Sequence, residues 1–441
     1  MTSEKIETII APATPQGRSA LAIVRLDGPE SFAILERLSG GRTLREREPQ
    51  LRRLEIGDAF DDAVVTGYRA PRSFTGNDLV EVSLHGNPFL VERLLQEALR
   101  AGARIAEPGE FTERAVLNGK LDLVQAEAIG DLIASRTTVQ ARVALSNLDG
   151  EVSRIGTSVR SSLLHVISRL EAALDFADEG YEFIERNEVE RTLRNAREES
   201  LRMLATYERG RAVTHGLSAV ILGKPNAGKS TLLNFLCGTE RAIVTPIPGT
   251  TRDLVRETIE IGGIPVTVTD TAGLRVSEDV VEEIGVRRAR DAAAAADLVI
   301  YLIDASAVPD PDEMKELASL APSMLIYTKC DLAQPPPGAL GISITERRGT
   351  EALLTSLDAR VRSTFVPEEG SPTLVNERQR AAVAETVDAI DGALTALAAG
   401  STEEIVLVEL YRASNAIGLL TGAVTRDEIL HEIFAKFCIG K

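Results

Sequence analysis

Cysteine is scarce in this chain: Cys237, Cys330 and Cys438 are the three present among 441 residues, too few and too scattered for a disulfide framework. Histidine is as thin, with four residues, and no zinc-binding spacing emerges. Long apolar runs are missing as well. None reaches the ~20 residues that cross a bilayer, and Met1 to Ile10 lacks the apolar core a signal peptide needs. Positive charge is also in deficit: 49 basic against 66 acidic residues leave a formal charge of −17. That excludes a general nucleic-acid coat, whose affinity rests on dense cations, so any RNA contact is local or shared with a partner. The expectation is a globular chain in a reducing cytoplasm, with no membrane association. A hydrophobic fraction of 44% is ample for sizeable cores, and the length suggests about three domains.

What is present begins with Gly223 to Ser230, Gly-Lys-Pro-Asn-Ala-Gly-Lys-Ser. The apolar run Leu217 to Leu222 before it reads as a buried parallel strand, and Thr231 to Leu236 after it as a helix stopped by Gly238. Glycines at 223 and 228 let backbone N–H groups turn toward phosphate oxygens at the positive end of a helix. Lys229 then reaches the β and γ oxygens, and the Ser230 hydroxyl suits Mg²⁺. Asn226, Ala227, Gly228, Lys229, Ser230 and Thr231 are therefore expected to bind a nucleoside triphosphate.

Asp270-Thr271-Ala272-Gly273 closes the apolar strand Ile264 to Thr269, where Asp270 would hold Mg²⁺ through water. Between the two motifs, Pro248-Gly249-Thr250-Thr251-Arg252-Asp253 reads as a flexible polar loop, and Thr245, Pro246 and Ile247 just before it are expected at the nucleotide with Pro248 to Thr251. Its threonines could reach the γ-phosphate and, through Thr251, the metal. Thr328-Lys329-Cys330-Asp331 is the candidate base reader: Asp331 can accept from the two ring donors that guanine has and adenine lacks, which selects GTP. It resembles the Asn-Lys-x-Asp motif of GTPases with threonine in first place.

Ile6 to about Lys120 mixes strands (Ile6 to Ala11, Ala20 to Leu26, Leu79 to Leu84) with helices (Pro29 to Leu38, Pro88 to Ala101), an α+β pattern. Arg42, Arg45, Arg47, Arg52 and Arg53 read as a solvated loop face, with RNA contact as the rival reading. Leu121 to about Arg209 has helical periodicity and suggests one long hairpin of helices. Val375 to Ala399 and Thr402 to Leu420 return to it, so the two segments are expected to form one discontinuous all-α domain. The stretch between is a Ras-like α/β insert: strand, helix, hairpin at Gly262-Gly263, helix from Val281, strands at Leu298 to Ile303, Met324 to Tyr327 and Gly341 to Ile344, and a last helix. The expected domains are 1–120, 121–211, 212–373 and 374–441, the second and fourth being two parts of one.

Phe74-Thr75-Gly76, Pro108 to Arg114, Asn118 to Ala128, the GTPase insert and the final Cys438-Ile439-Gly440-Lys441 together resemble the MnmE (TrmE) family of tRNA modification GTPases, over nearly the whole chain. The resemblance implies a homodimer that acts with the FAD-containing MnmG (GidA) on tRNA, modifying the 5-position of the wobble uridine with a one-carbon unit of tetrahydrofolate in its 5-formyl or 5,10-methylene form. It puts Arg25, Glu81, Lys120 and Lys441 at folate-contacting positions; a cation such as Arg25 or Lys441 suits the glutamate tail and Glu81 the pterin donors. Cys438 has two readings, a part in the modification step or a packed small residue.

Leu274 stands where Ras-like enzymes usually carry a water-orienting glutamine. In its place the resemblance implies a K⁺ ion held by Asn226, Thr245, Ile247 and Thr250, with Glu282 orienting the attacking water. A GTP-driven ribosome or RNA assembly factor without base chemistry stays open as the alternative.

Overall fold

The computed structural model describes residues 7–175, 185–239, 256–270, 291, 293–308, 311, 313, 317–318, 323–424, 430, 433–435, 437 and 440; of residues 256 and 270 it describes the backbone alone. The chain divides into two compact units, one of residues 1–130, 153–193 and 388–441, the other of 131–152 and 194–387.

The first unit is built on a six-stranded sheet in the order β3, β4, β5, β2, β1, β6. Its strands are β1 (Ile9–Pro12), β2 (Leu21–Asp27), β3 (Gln50–Ile56), β4 (Ala59–Tyr68), β5 (Leu79–His85) and β6 (Arg104–Ile105). All pairings are antiparallel except β1 with β6. Alternation sets the faces: Ala22, Val24 and Leu26 of β2, and Val80, Val82 and Leu84 of β5, are buried in one cluster with residues of α1 (Ser31–Leu38) and α2 (Pro88–Arg100). Helix α2 starts where the sequence signals it. Asn87 caps it, its side chain accepting from the Phe89 N–H at 3.0 Å, and Pro88 opens its first turn.

One expectation fails here. Arg52 and Arg53 lie in strand β3, not in a loop, and Arg53 pairs across the sheet with Asp62 of β4 at 3.0 Å. The strand was hidden because it is an edge strand whose first half, Gln50, an exposed Leu51, Arg52 and Arg53, shows no apolar alternation, and only Leu54 and Ile56 are buried. The solvated half of that reading stands, since Arg42, Arg45, Arg47 and Arg53 are exposed.

Residues 121–215 form α4 (Leu123–Ala134), α5 (Thr138–Leu148), α6 (Glu151–Asp175), α7 (Arg186–Leu204) and α8 (Tyr207–His215), after α3 (Glu110–Leu117). Among the described residues this is five helices where a single hairpin was expected; two of the breaks fall at Thr137, whose hydroxyl caps α5 by accepting from Gln140 N–H, and at Gly150, which has a positive φ of 85°. Within the first unit the helical segments meet: Tyr411 hydrogen-bonds Glu171, and a Cβ on Gly156 would stand 3.0 Å from Leu420.

The second unit holds a five-stranded sheet ordered β11, β10, β7, β9, β8, from β7 (Leu217–Gly223), β8 (Arg256–Ile261), β9 (Ile264–Asp270), β10 (Leu298–Asp304) and β11 (Met324–Thr328). Only β8 runs antiparallel. Both faces are covered: Leu217, Ala219 and Ile221 enter one core with α5, α8, α9 (Lys229–Cys237) and α10 (Thr350–Phe365), while Val220 and Leu222 enter another with Val299, Tyr301 and Ile303. That double burial explains why these strands read as continuous apolar runs. The expected strand Gly341 to Ile344 is reduced to two isolated bridges, Gly341 to Tyr327 in parallel and Ser343 to Arg348 antiparallel. The expected helix from Val281 lies outside the described residues. Helices α11 (Glu377–Ala398) and α12 (Glu403–Thr421) follow. Among the described residues, no helix is long and apolar enough to cross a membrane.

Candidate functional site

The loop between β7 and α9 stands at the C-terminal end of the parallel strands, where doubly wound sheets present their ligands. Gly223 has φ +138°, and a Cβ there would lie 2.4 Å from the Leu302 carbonyl oxygen of the neighbouring strand. Only glycine fits. Asn226 (φ +65°) and Gly228 (φ +93°) also take left-handed conformations, and Gly228 caps α9, so the loop curls before the helix begins and the first N–H groups of α9 open toward it. Lys229 arches back over the loop, its ammonium donating to the carbonyls of Gly223 and Lys224 at 2.8 Å each. Ser230 and Thr231 are exposed in the first turn, Asn226 is exposed, and Ala227 is buried. The hydroxyl of Ser230 and the amide oxygen of Asn226 are hard oxygen donors of the kind Mg²⁺ and K⁺ take.

Asp270 ends β9 in register with Ile221, two residues before the loop. The segment Thr328 to Asp331, the expected base reader, reaches the same place from β11. Buried Thr328 donates its hydroxyl to the Ala227 carbonyl at 2.8 Å and lies 3.2 Å from the Ile303 carbonyl. Threonine thus performs a structural task, clamping the turn after β11 to the loop between β7 and α9. Lys329 (φ +55°) pairs with Asp304 at 2.6 Å. Burial raises the pKa of the Asp304 carboxyl, but hydrogen bonds from Lys329 and Ser306 outweigh it and the net shift is downward. Asp331 stands exposed at the end of this turn. Sequence reasoning missed the support beneath it: the Cys330 N–H donates to the Ile342 carbonyl at 3.1 Å, and Ile342 N–H to Tyr327 at 2.8 Å. No periodic signal marks so short a contact.

A second site lies in the six-stranded sheet. Arg25 and Glu81 are cross-strand partners on β2 and β5, and Arg25 Nε donates to Glu81 at 2.8 Å. Glu81 and Lys120 line a cleft of about 410 Å³ with Arg47, Tyr68, Arg72, Ser73, Phe74 and Leu79. The Arg25 guanidinium sits 5.7 Å from the centre of the Phe74 ring. The short motifs explain themselves here. Asn118 donates to the Thr75 carbonyl at 2.7 Å and to Asn77 at 3.0 Å, binding one motif to the other and delivering Lys120 to the cleft. Beneath them Asp27, fully buried, accepts from Thr75, from Asn77 at 3.0 Å and from Arg114 at 2.7 Å. Arg114 and Arg104 both grip Glu110, at 2.8 and 2.7 Å. Burial raises the pKa of the Glu110 carboxyl, yet Arg104, the Glu107 N–H and Arg114 together bring it below its ordinary value. Arg47, Arg72 and Tyr68 were not expected as cleft residues. Tyr68 and Arg72 had no sequence signal beyond proximity to Phe74-Thr75-Gly76, and Arg47 had only its place in the basic stretch Arg42 to Arg53.

Gly440 packs so closely on β1 that a Cβ would lie 2.0 Å from the Pro12 carbonyl oxygen. Lys441, Cys438, Glu282, Leu274, Thr245, Pro246, Ile247, Pro248, Gly249, Thr250, Thr251, Thr271, Ala272 and Gly273 lie outside the described residues.

Residues 8–120 match the family described as GTP-binding protein TrmE N-terminus, and residues 123–438 match the MnmE helical domain. Proteins named tRNA modification GTPase MnmE from Koribacter versatilis and Salinibacter ruber are 41% and 40% identical, each covering 99% of this chain and 99% of the relative. The solved structure of Aquifex aeolicus Era bound to GDP and AlF4⁻ is similar over 39% of this chain and 66% of its own, at 25% identity and a TM-score of 0.27. With both family regions matched and full-length relatives at this identity, the chain belongs to the MnmE family of tRNA modification GTPases.

Proposed function

We propose that this GTPase is the K⁺-dependent partner of MnmG in modifying the 5-position of the tRNA wobble uridine U34. The proposed product is a 5-carboxymethylaminomethyl or aminomethyl uridine, made with a tetrahydrofolate one-carbon unit, in the cytoplasm and as a homodimer. In this reading residues 212–373 are the nucleotide domain, inserted between the helical segments 121–211 and 374–441, and 1–120 is the folate and dimerisation domain. FAD enters only with MnmG.

The observation that carries the reading is that the two sites belong to separate units and are each built from the motifs of the family. The phosphate loop is locked through Thr328 to the turn that would read guanine, and a cationic cleft with a carboxylate, Glu81, sits in the N-terminal sheet. Asn226, Ala227, Gly228, Lys229, Ser230 and Thr231 would hold the triphosphate, with Thr245 to Thr251 and Asp270 to Gly273 as the sensing loops. Ser230 and Thr251 would hold Mg²⁺; Asn226, Thr245, Ile247 and Thr250 would hold K⁺. Either cation, when bound, supplies positive charge against the charge that develops on the phosphate oxygens. Thr328, Lys329 and Asp331 select guanine, Glu282 orients water, and Arg25, Glu81, Lys120 and Lys441 take the folate, with Cys438 near the modification step.

Nucleoside mass analysis of tRNA from cells with and without the gene tests the proposal. Loss of the 5-substituted wobble uridine is expected; unchanged nucleosides together with a ribosome-assembly defect would replace it by the assembly-factor reading. GTP turnover should rise when K⁺ replaces Na⁺ at equal ionic strength, and equal rates would remove the K⁺ assignment. Glu282→Ala should lower kcat by about 10² to 10⁴ with little change in GTP affinity.

A further inference from the structure

Three cations reach the N-terminal cleft from separate stretches of chain: Arg47, Arg72 and Lys120. Arg47 Nη2 donates to the Arg72 carbonyl at 2.8 Å, and Lys120 Nζ to the Pro71 carbonyl at 3.1 Å. Two cations thus flank one peptide segment, aimed by neutral acceptors that leave their charge uncompensated. Neither has a carboxylate partner among the described residues.

The acids nearby are already committed. Glu81 is paired with Arg25 at 2.8 Å and Glu46 with Arg72 at 3.0 Å. Arg25 therefore spends its charge inside the sheet, and the surplus sits at Arg47 and Lys120. Arg47 is also held at φ +56°, with its N–H donating to the Gly67 carbonyl at 2.7 Å. A non-glycine residue in that region costs roughly 1 kcal/mol, a strain that tends to mark a ligand-facing position.

Beside Ser73 and Glu81, the remaining lining is a largely apolar wall of Phe74, Tyr68 and Leu79. At about 410 Å³ the cleft is of small-molecule size, within the roughly 300–1,000 Å³ of typical ligand pockets. A ring system against the aromatic wall and a string of carboxylates along the cationic rim satisfy both halves.

We infer that the cleft is built for folates carrying an oligo-γ-glutamyl tail, the added carboxylates being held by Arg47, Arg72 and Lys120. This rests on the folate reading given above. Each further glutamate adds one carboxylate, and the planar guanidinium forks of the two arginines suit carboxylate geometry better than a point charge does.

Calorimetric titration of the full-length protein with 5-formyl-tetrahydrofolate as monoglutamate and as tri-γ-glutamate tests it. The triglutamate should bind about tenfold more tightly. Arg47→Met and Arg72→Met should each narrow that difference to about threefold, while Arg47→Lys keeps most of it. Raising salt from about 50 to about 300 mM on the unmutated protein should erode the triglutamate's advantage and leave monoglutamate binding much less affected, a readout that needs no variant. Equal affinity of the unmutated protein for the two ligands, or equal weakening of both by the arginine variants, would overturn this inference and leave the folate reading standing. Failure of either folate to bind would overturn the folate reading and this inference with it.

Discussion

The five-stranded sheet and the six-stranded sheet solve the placement of a site by opposite means. In the first, both faces are buried, and the site is made at the strand ends from backbone: Gly223, Asn226 and Gly228 turn the chain, and α9 begins at the loop. In the second, the site is made of side-chain charge: Arg25 with Glu81 on paired strands, Lys120 delivered by Asn118, and a buried Asp27–Arg114–Glu110–Arg104 network beneath. A backbone site depends on a few conformations that a glycine or a capping residue secures. A side-chain site depends on every member of a network being present, because a buried charge that loses its partner is costly.

That contrast makes the network the place of largest effect. Arg114→Met leaves Asp27, which is 0% exposed, without its cation. Breaking such a buried pair costs about 3–5 kcal/mol, so denaturant unfolding should show a loss in that range and reduced folate binding together. A loss below about 1 kcal/mol would mean the network is dispensable.

Next comes Lys229→Ala, which removes the ammonium that arches over the loop while leaving the turn itself intact. GTP affinity should fall by about 100-fold or more by calorimetry, with thermal stability nearly unchanged. If the variant binds within about threefold, the backbone alone makes the site.

Thr328→Val should have a middling effect. It is nearly isosteric and strips the hydroxyl that bridges to Ala227, so a net hydrogen bond worth about 1 kcal/mol is lost and GTP affinity should drop about five- to tenfold. Thr328→Asn should bind about as well as the parent, if the clamp is the purpose of the position.

The smallest effect is with pH. The Glu110 carboxyl lies below its ordinary value of 4.5 in the folded chain. A depressed carboxylate contributes stability that is complete above its unfolded value and lost as pH falls through the folded one. Denaturant midpoints measured from neutral pH down through 4.5 should therefore decline at the acid end, and Glu110→Gln should flatten that part of the decline. An unaltered slope in the variant would assign the acid loss to other carboxylates, such as Asp297 and Asp304, whose values are also lowered.

The phosphate loop was legible in the residues, because its geometry is local: a strand, a loop and a helix adjoin in sequence, and the glycines that permit the turn are visible as glycines. The clamp through Thr328 was legible only as a motif. Its reason is a contact made 101 residues away. The edge strand β3 and its inner neighbour β4 were not legible: β3 buries only Leu54 and Ile56, and the inward positions of β4 include Asp61 and Gly67 while Phe60 and Val64 face outward, so its alternation in burial is not an alternation in apolar residues. Nor was the cationic rim, for Arg47 and Arg72 look like any solvated arginine until the Pro71–Arg72 carbonyls are seen to aim Arg47 and Lys120.

By itself the sequence determined the phosphate loop, the apolar strands of the doubly covered sheet, the helical segments on either side of it and the family motifs. These rest on neighbours along the chain and on the apolar periodicity that burial demands. The tertiary structure alone decided that Arg25 is matched to Glu81, that Asn118 ties the two N-terminal motifs into one wall, and that Arg47 and Lys120 keep their charge unspent. Each of these depends on which side chains meet across a sheet or between a loop and a helix, and local propensity carries no information about such long-range pairings.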